Sequence, residues 1–211
     1  MPTDTICRIR RASLLALTLL PPFAITASIC WIDRPVALAL WKITSAIPGM
    51  TVSFNSLPNL LPAASLGVTA LFCILWFSRR AAPEHRFYRL VTIAVPLAFI
   101  MKTVLQFAFG HTSVRLWLQE GVPLAFRPFH PYRSAGFPSG HSLVLAAFLA
   151  AVWLYFPRMR FPAIMVMTGM AAALLATSYH FVSDILAGVW CGVLITLCLH
   201  QWLDAGRGRS D

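Results

Sequence analysis

The sequence predicts an all-α integral membrane protein, a six-transmembrane-helix bundle forming one domain over residues 1–211. Three observations predict it. Hydrophobic residues make up 58% of the chain and charged residues 11%, with a mean hydropathy of +0.72, whereas an ordinary soluble domain is about 25% charged. The apolar residues gather into runs close to the ~20 residues that a bilayer-crossing helix needs. Most of the charges lie between those runs. A soluble globule, a disordered chain and a coiled coil are excluded, and no internal repeat, low-complexity tract or linker marks off a second domain.

Taken in order, residues 12–31 form an apolar run behind Arg8, Arg10 and Arg11. A basic start before an apolar stretch is also the pattern of a cleaved signal peptide. Pro21 and Pro22 inside the run, and a poor small-x-small site near Ala27, favour an uncleaved anchor. Residues 35–49 are shorter and mixed, contain Lys42 and Pro48, and read as interfacial. Residues 60–78 are apolar and stop at Arg79-Arg80, and residues 90–109 are apolar but for Lys102 and Gln106. Residues 110–138 form a polar, aromatic loop with Arg115, Arg127 and Arg133, in which Trp117, Phe126 and Phe129 read as interface anchors. Three closely connected spans follow at 140–156, 161–179 and 183–202. The five cysteines are widely spaced, with no CxxC or Cys/His pattern, and read as small apolar residues rather than metal ligands.

A net charge of +10 points to nucleic acid in a soluble protein, but in a membrane protein the placement of the charges carries the information. With the N-terminus inside, the inner segments hold Arg8, Arg10 and Arg11, then Arg79, Arg80, Arg86 and Arg89, then Arg158 and Arg160, then Arg207 and Arg209. The positive-inside rule selects this orientation. Both termini are expected in the cytoplasm and the 110–138 loop outside, in the cytoplasmic membrane of a bacterium, with no nucleic-acid partner. Arg34, Lys42, Lys102, Arg115, Arg127 and Arg133 remain outside or embedded and need a reason to be there.

This orientation brings Lys102, Gln106, His111, Ser139, His141, His180 and Asp184 to one outer face from three separate stretches. Ionisable residues at membrane depth are costly and are functional hypotheses by default. Pro138-Ser139-Gly140-His141 opens a helix: proline is tolerated at a helix start, glycine admits a ligand close to the backbone, and the unpaired N–H groups favour an anion. His180 and Asp184 stand four apart on one helical face. The carboxylate there holds one imidazole nitrogen as N–H and leaves the other as nucleophile or base, with His141 as general acid. Alone, the first motif is also a plain helix cap and the second a helix-stabilising pair. Together, beside an anion cradle, they form a phosphoryl-transfer arrangement.

The stretches FPSGHS at 137–142 and YHFVSDILAG at 179–188 resemble the second and third motifs of the type-2 phosphatidic acid phosphatase superfamily, over about residues 102–193. The resemblance implies a metal-independent lipid phosphatase or phosphotransferase without a cofactor. It implies that His180 attacks phosphorus to form a phosphohistidine, that Asp184 orients it, that His141 protonates the leaving oxygen, and that Ser139 and Gly140 bind phosphate oxygens. The first motif departs from the family pattern. Lys102 is followed at the family's arginine-proline spacing by Phe109-Gly110, and in a related bacterial version of the motif Gln106 and His111 stand where lysine and arginine belong. The third motif has Leu174 where an arginine is usual. Lys102, Arg115, Arg127 and Arg133 are the candidates to supply the missing positive charge.

The expected activity is therefore hydrolysis of a lipid phosphate or diphosphate, drawn from the bilayer at the outer face. The same site with an alcohol acceptor gives a phosphotransferase, and without turnover an anionic-lipid-binding relative. An intramembrane serine protease built on Ser139 leaves His180 and Asp184 without a part. A transporter lacks inverted repeats or paired broken helices. A two-metal hydrolase lacks clustered acids, since Asp33, Glu120 and Asp184 are too few and scattered.

Overall fold

Long apolar segments in a bilayer satisfy their backbone polar groups internally, and a helix does so within one segment. The computed structural model describes residues 18–46, 57–129 and 136–205, and among these helix is the only extended regular structure. The helices are α1 (Thr18–Thr44), α2 (Leu57–Ser78), α3 (His85–Phe109), α4 (Val114–Glu120), α5 (Gly140–Tyr155), α6 (Arg160–Ala176) and α7 (Val182–Ala205). The all-α membrane architecture is as expected. The count of six spans is not confirmed. Five helices are long and apolar enough to cross a membrane, and α5, at 16 residues, is shorter. Sixteen residues rise about 24 Å, short of a ~30 Å hydrocarbon core.

The N-terminal segment differs from the sequence reading. The runs at 12–31 and 35–49 are one helix within the described residues, because Asp33-Arg34-Pro35 does not break it. A π-helical turn at Ser28–Ile32 precedes a fresh α-helical start at Asp33. Pro35 therefore falls in a first turn, where its missing N–H costs little. The end of α6 also comes earlier than 179. Thr177 Oγ donates to Ala173 O at 2.7 Å, and Ser178 turns left-handed with φ 53°, which stops the helix before Tyr179.

Within a bilayer, helices associate through close packing, and small residues allow it. On α7, a Cβ added at Gly188 would lie 2.6 Å from Ser139 O, and one at Gly192 would lie 2.3 Å from Leu143 O. The α5 and α7 backbones therefore touch at two successive turns, and Thr196 Oγ completes the seam by donating to Ala147 O at 2.9 Å. Leu90, Val91, Val95 and Ala98 of α3 pack on Leu143, Val144, Ala147 and Ala151 of α5 to form the core. The starts of α5 and α7 and the ends of α3 and α6 thus share one end of the bundle. The turns bearing Arg79 and Arg158 lie at the other.

Candidate active site

Each functional side chain is placed by a helix end. Ser139 caps α5, its Oγ accepting from Ser142 N at 3.3 Å, while its own N–H donates to Asp184 O at 2.9 Å. The Phe137–Pro138 peptide is cis, and Gln106 Nε2 donates to Pro138 O at 3.1 Å. Gln106 thus holds the segment that starts α5. The Lys102 stem lies directly over Gly140, with Cγ and Cε 2.8 and 2.9 Å from where a Cβ would stand. Its Nζ lies 5.4 Å from the Phe99 ring centre. Lys102, Gln106, Ser139 and Gly140 are therefore brought together.

His180 follows the end of α6, and Asp184 lies in the first turn of α7, wholly buried. His180 Nδ1 stands 3.4 Å from Asp184 Oδ2, which also accepts from Phe181 N at 2.9 Å. The His141 and His180 ring centres are 6.4 Å apart, so the structure brings the two imidazoles from different helix starts close together. The contact to Asp184 is made by Nδ1 of His180, so Nε2 is the ring nitrogen turned away from that carboxylate.

His111 is set against Asp184 and Phe126 rather than against the start of α5. It is buried, stacked on Phe126 with ring centres 4.1 Å apart, and its Nδ1 is 3.6 Å from Asp184 Oδ1. Asp184 therefore stands between two imidazoles. The loop after α3 holds this arrangement by folding back on itself: Thr112 N donates to Ala125 O, Arg127 N to Gly110 O, and Gly136 N to His111 O. Phe126, expected as an interface anchor, stacks on His111 with one face and stays exposed with the rest of its ring.

Of the candidate cations, Arg115 reaches the α6–α7 turn that carries His180. From α4 its Nη2 donates to Thr177 O at 3.2 Å, and its guanidinium lies 3.8 Å from the centre of the Tyr179 ring. Burial pushes the Tyr179 phenol above the ordinary tyrosine range, against the pull of Arg115, so the ring under the guanidinium is neutral. Arg127 is exposed on the loop, and Arg133 lies outside the described residues. Leu174 is buried in the wall of an apolar cavity of about 300 Å³ that also touches His141, Phe148, Met170 and Tyr179. Among the described residues, no group of three His, Cys, Asp or Glu side chains is arranged to hold a metal ion.

One residue that sequence reasoning passed over is Asp33, read there as one of a few scattered acids. It is buried, and it accepts from Ser28 Oγ at 2.9 Å, from Ser183 N at 3.0 Å and from Ser183 Oγ. The available signal was its charge inside an apolar stretch.

Comparison with known proteins places these motifs. The PAP2 superfamily model matches residues 110–207, which hold His111, Ser139, Gly140, His141, His180 and Asp184. A lipid A 1-phosphatase of Rhizobium etli is 34% identical over 130 residues, covering 53% of this chain and 55% of that protein. The chain thus matches about half the length of that curated relative. No solved structure matches. The resemblance read from FPSGHS and YHFVSDILAG is therefore shown over the second half of the chain.

Proposed function

We propose that this chain, whose residues 110–207 match the PAP2 superfamily, is a membrane phosphatase acting on the phosphate of a lipid. The observation that carries the reading is the meeting of His180, Asp184 and His141 at two adjacent helix starts, with the two rings 6.4 Å apart. Asp184 holds Nδ1 of His180 as the donor, and Nε2 attacks phosphorus. The bond from phosphorus to the lipid oxygen breaks, and that oxygen takes its proton from His141. Water then attacks the phosphohistidine, His141 accepts the water proton, the P–N bond breaks, and inorganic phosphate leaves. No step calls for a metal ion.

The anion is bound by the first turn of α5 at Gly140, where N–H groups lack intrahelical partners, by the Ser139 hydroxyl, and by Lys102 and Arg115, while the Ser139 N–H stays on Asp184 O. The apolar cavity beside His141 suits the hydrocarbon chain of a lipid whose phosphate sits between the histidines. The relative's name supports a phosphate on lipid A as one member of the substrate panel. By the positive-inside argument the site faces outward and the described arginines at the opposite end face the cytoplasm.

The test is phosphate release by the purified protein in detergent from lipid A 1-phosphate, phosphatidic acid, phosphatidylglycerol phosphate and a polyprenyl diphosphate, in excess EDTA. Release from at least one of them is expected, with an acid-labile phosphoenzyme, and both are expected to vanish in His180→Ala. Equal release by wild type and His180→Ala, or complete loss on chelation that a divalent cation restores, overturns the mechanism.

A further inference from the structure

We infer that Asp33 is a positioning residue for His180, which makes the N-terminal helix α1 part of the reaction site. The inference rests on the phosphatase reading above. A helix start leaves its first N–H groups without intrahelical acceptors, and a carboxylate there is favoured by both hydrogen bonding and the helix dipole. At the start of α7 that carboxylate comes from 150 residues away in the chain: Asp33 Oδ1 accepts from Ser183 N at 3.0 Å, and Oδ2 accepts from Ser183 Oγ. Ser28 Oγ, one turn back on α1, supplies a third donor at 2.9 Å. Three donors on two oxygens satisfy a charge that is otherwise costly to bury.

Ser183 and Asp184 are consecutive, so their side chains leave the first turn of α7 about 100° apart. Ser183 turns to Asp33 on α1, and Asp184 turns to His180, Phe181 N and His111. Fixing Ser183 therefore fixes the rotation of this turn about the helix axis, and with it the oxygen that holds His180 Nδ1. Asp33 and His180 also line one narrow gap between α1 and the α6–α7 turn. The match to the PAP2 superfamily begins at residue 110, so this contact lies across its boundary.

The experiment uses the full chain in detergent and reads phosphate release alongside amide hydrogen exchange. Asp33→Ala is expected to lower kcat at least tenfold with KM within twofold, at a temperature where the variant is fully folded. Exchange of the 182–185 amides is expected to speed up while those of α5 stay protected. Asp33→Asn, which keeps an acceptor for Ser183 N, is expected to recover part of kcat. Adding Ser183→Ala to Asp33→Ala is expected to cost nothing further, since the bond from Ser183 Oγ to Asp33 is already lost in the single variant. A lower melting temperature with kcat unchanged, or unchanged protection of 182–185, overturns the inference. A wild type that releases no phosphate overturns the phosphatase reading instead, and the exchange arm still decides whether Asp33 holds the turn.

Discussion

Replacing Gly188 by alanine tests whether the α5–α7 contact sets the catalytic geometry. The new Cβ would lie 2.6 Å from Ser139 O, 3.0 Å from Ser142 Cβ and 3.1 Å from Leu143 N. A carbon and a carbonyl oxygen settle at about 3.3 Å or more, so one helix must retreat by roughly 0.7 Å. All three obstacles belong to the first turn of α5, directly beside His141. That turn is also tied to α7 by Ser139 N–H on Asp184 O. The retreat therefore opens the distance between the two histidines. Misplacement by about 1 Å costs on the order of a hundredfold in rate, so kcat in Gly188→Ala is expected to fall at least about tenfold, roughly 1.4 kcal/mol of barrier. The assay is steady-state phosphate release, with thermal unfolding measured in parallel. Gly67→Ala and Gly169→Ala are the controls: their Cβ atoms meet nothing within 4 Å. There alanine favours the helix by up to about 1 kcal/mol. Gly188→Ala with kcat within twofold of wild type would refute the reasoning.

Arg115→Ala is expected to cut kcat/KM ten- to a hundredfold, as loss of a charge-assisted hydrogen bond of about 1.5–3 kcal/mol implies, with Arg115→Lys between; kinetics unchanged in both would remove Arg115 from the anion site. His141→Ala is expected to slow release from a lipid phosphate far more than from p-nitrophenyl phosphate, whose leaving group needs no proton. Equal losses on both substrates would remove the general-acid role.

Much of the fold was legible because the bilayer imposes one solution on a long apolar run. The runs ending at Arg79 and beginning near 90, 161 and 183 correspond to helices within a few residues of those positions. The failures fall where polar residues obscured the pattern. Asp33 and Arg34 looked like the end of a span, yet the helix runs through them, because the Asp33 charge is turned inward onto two serines and is not left to lipid. Hydropathy sums along the chain and registers only the cost of the charge. The donors that offset it come partly from residue 183. The same limitation misplaced the end of α6. Thr177 and Ser178 look like helix by composition, but the left-handed backbone at Ser178 ends it.

The site divides along the same line. Spacing was enough to group His141, His180 and Asp184, which the structure brings together, because each motif opens a helix and a helix start is a local event. The cationic partners are not local. Counting along the chain puts Leu174 where a guanidinium is usual, and no spacing rule reveals that Arg115 arrives at Thr177 and Tyr179 from the other side of the turn. It gets there because Gly110 ends α3 in a left-handed turn, Ser113 caps α4, and the chain then folds back through Phe126. With Leu174 apolar, the space it occupies belongs to the wall beside His141 rather than to the anion. On the proposed reading, Leu174 lines a cavity suited to hydrocarbon where the resemblance implies an arginine, and Arg115 of α4 supplies the charge. An arginine restored at 174 would stand in that wall. Leu174→Arg is therefore expected to weaken a lipid substrate more than a short phosphate ester, seen as a rise in KM confined to the lipid. A gain on both substrates would show that the cavity is not the lipid's place.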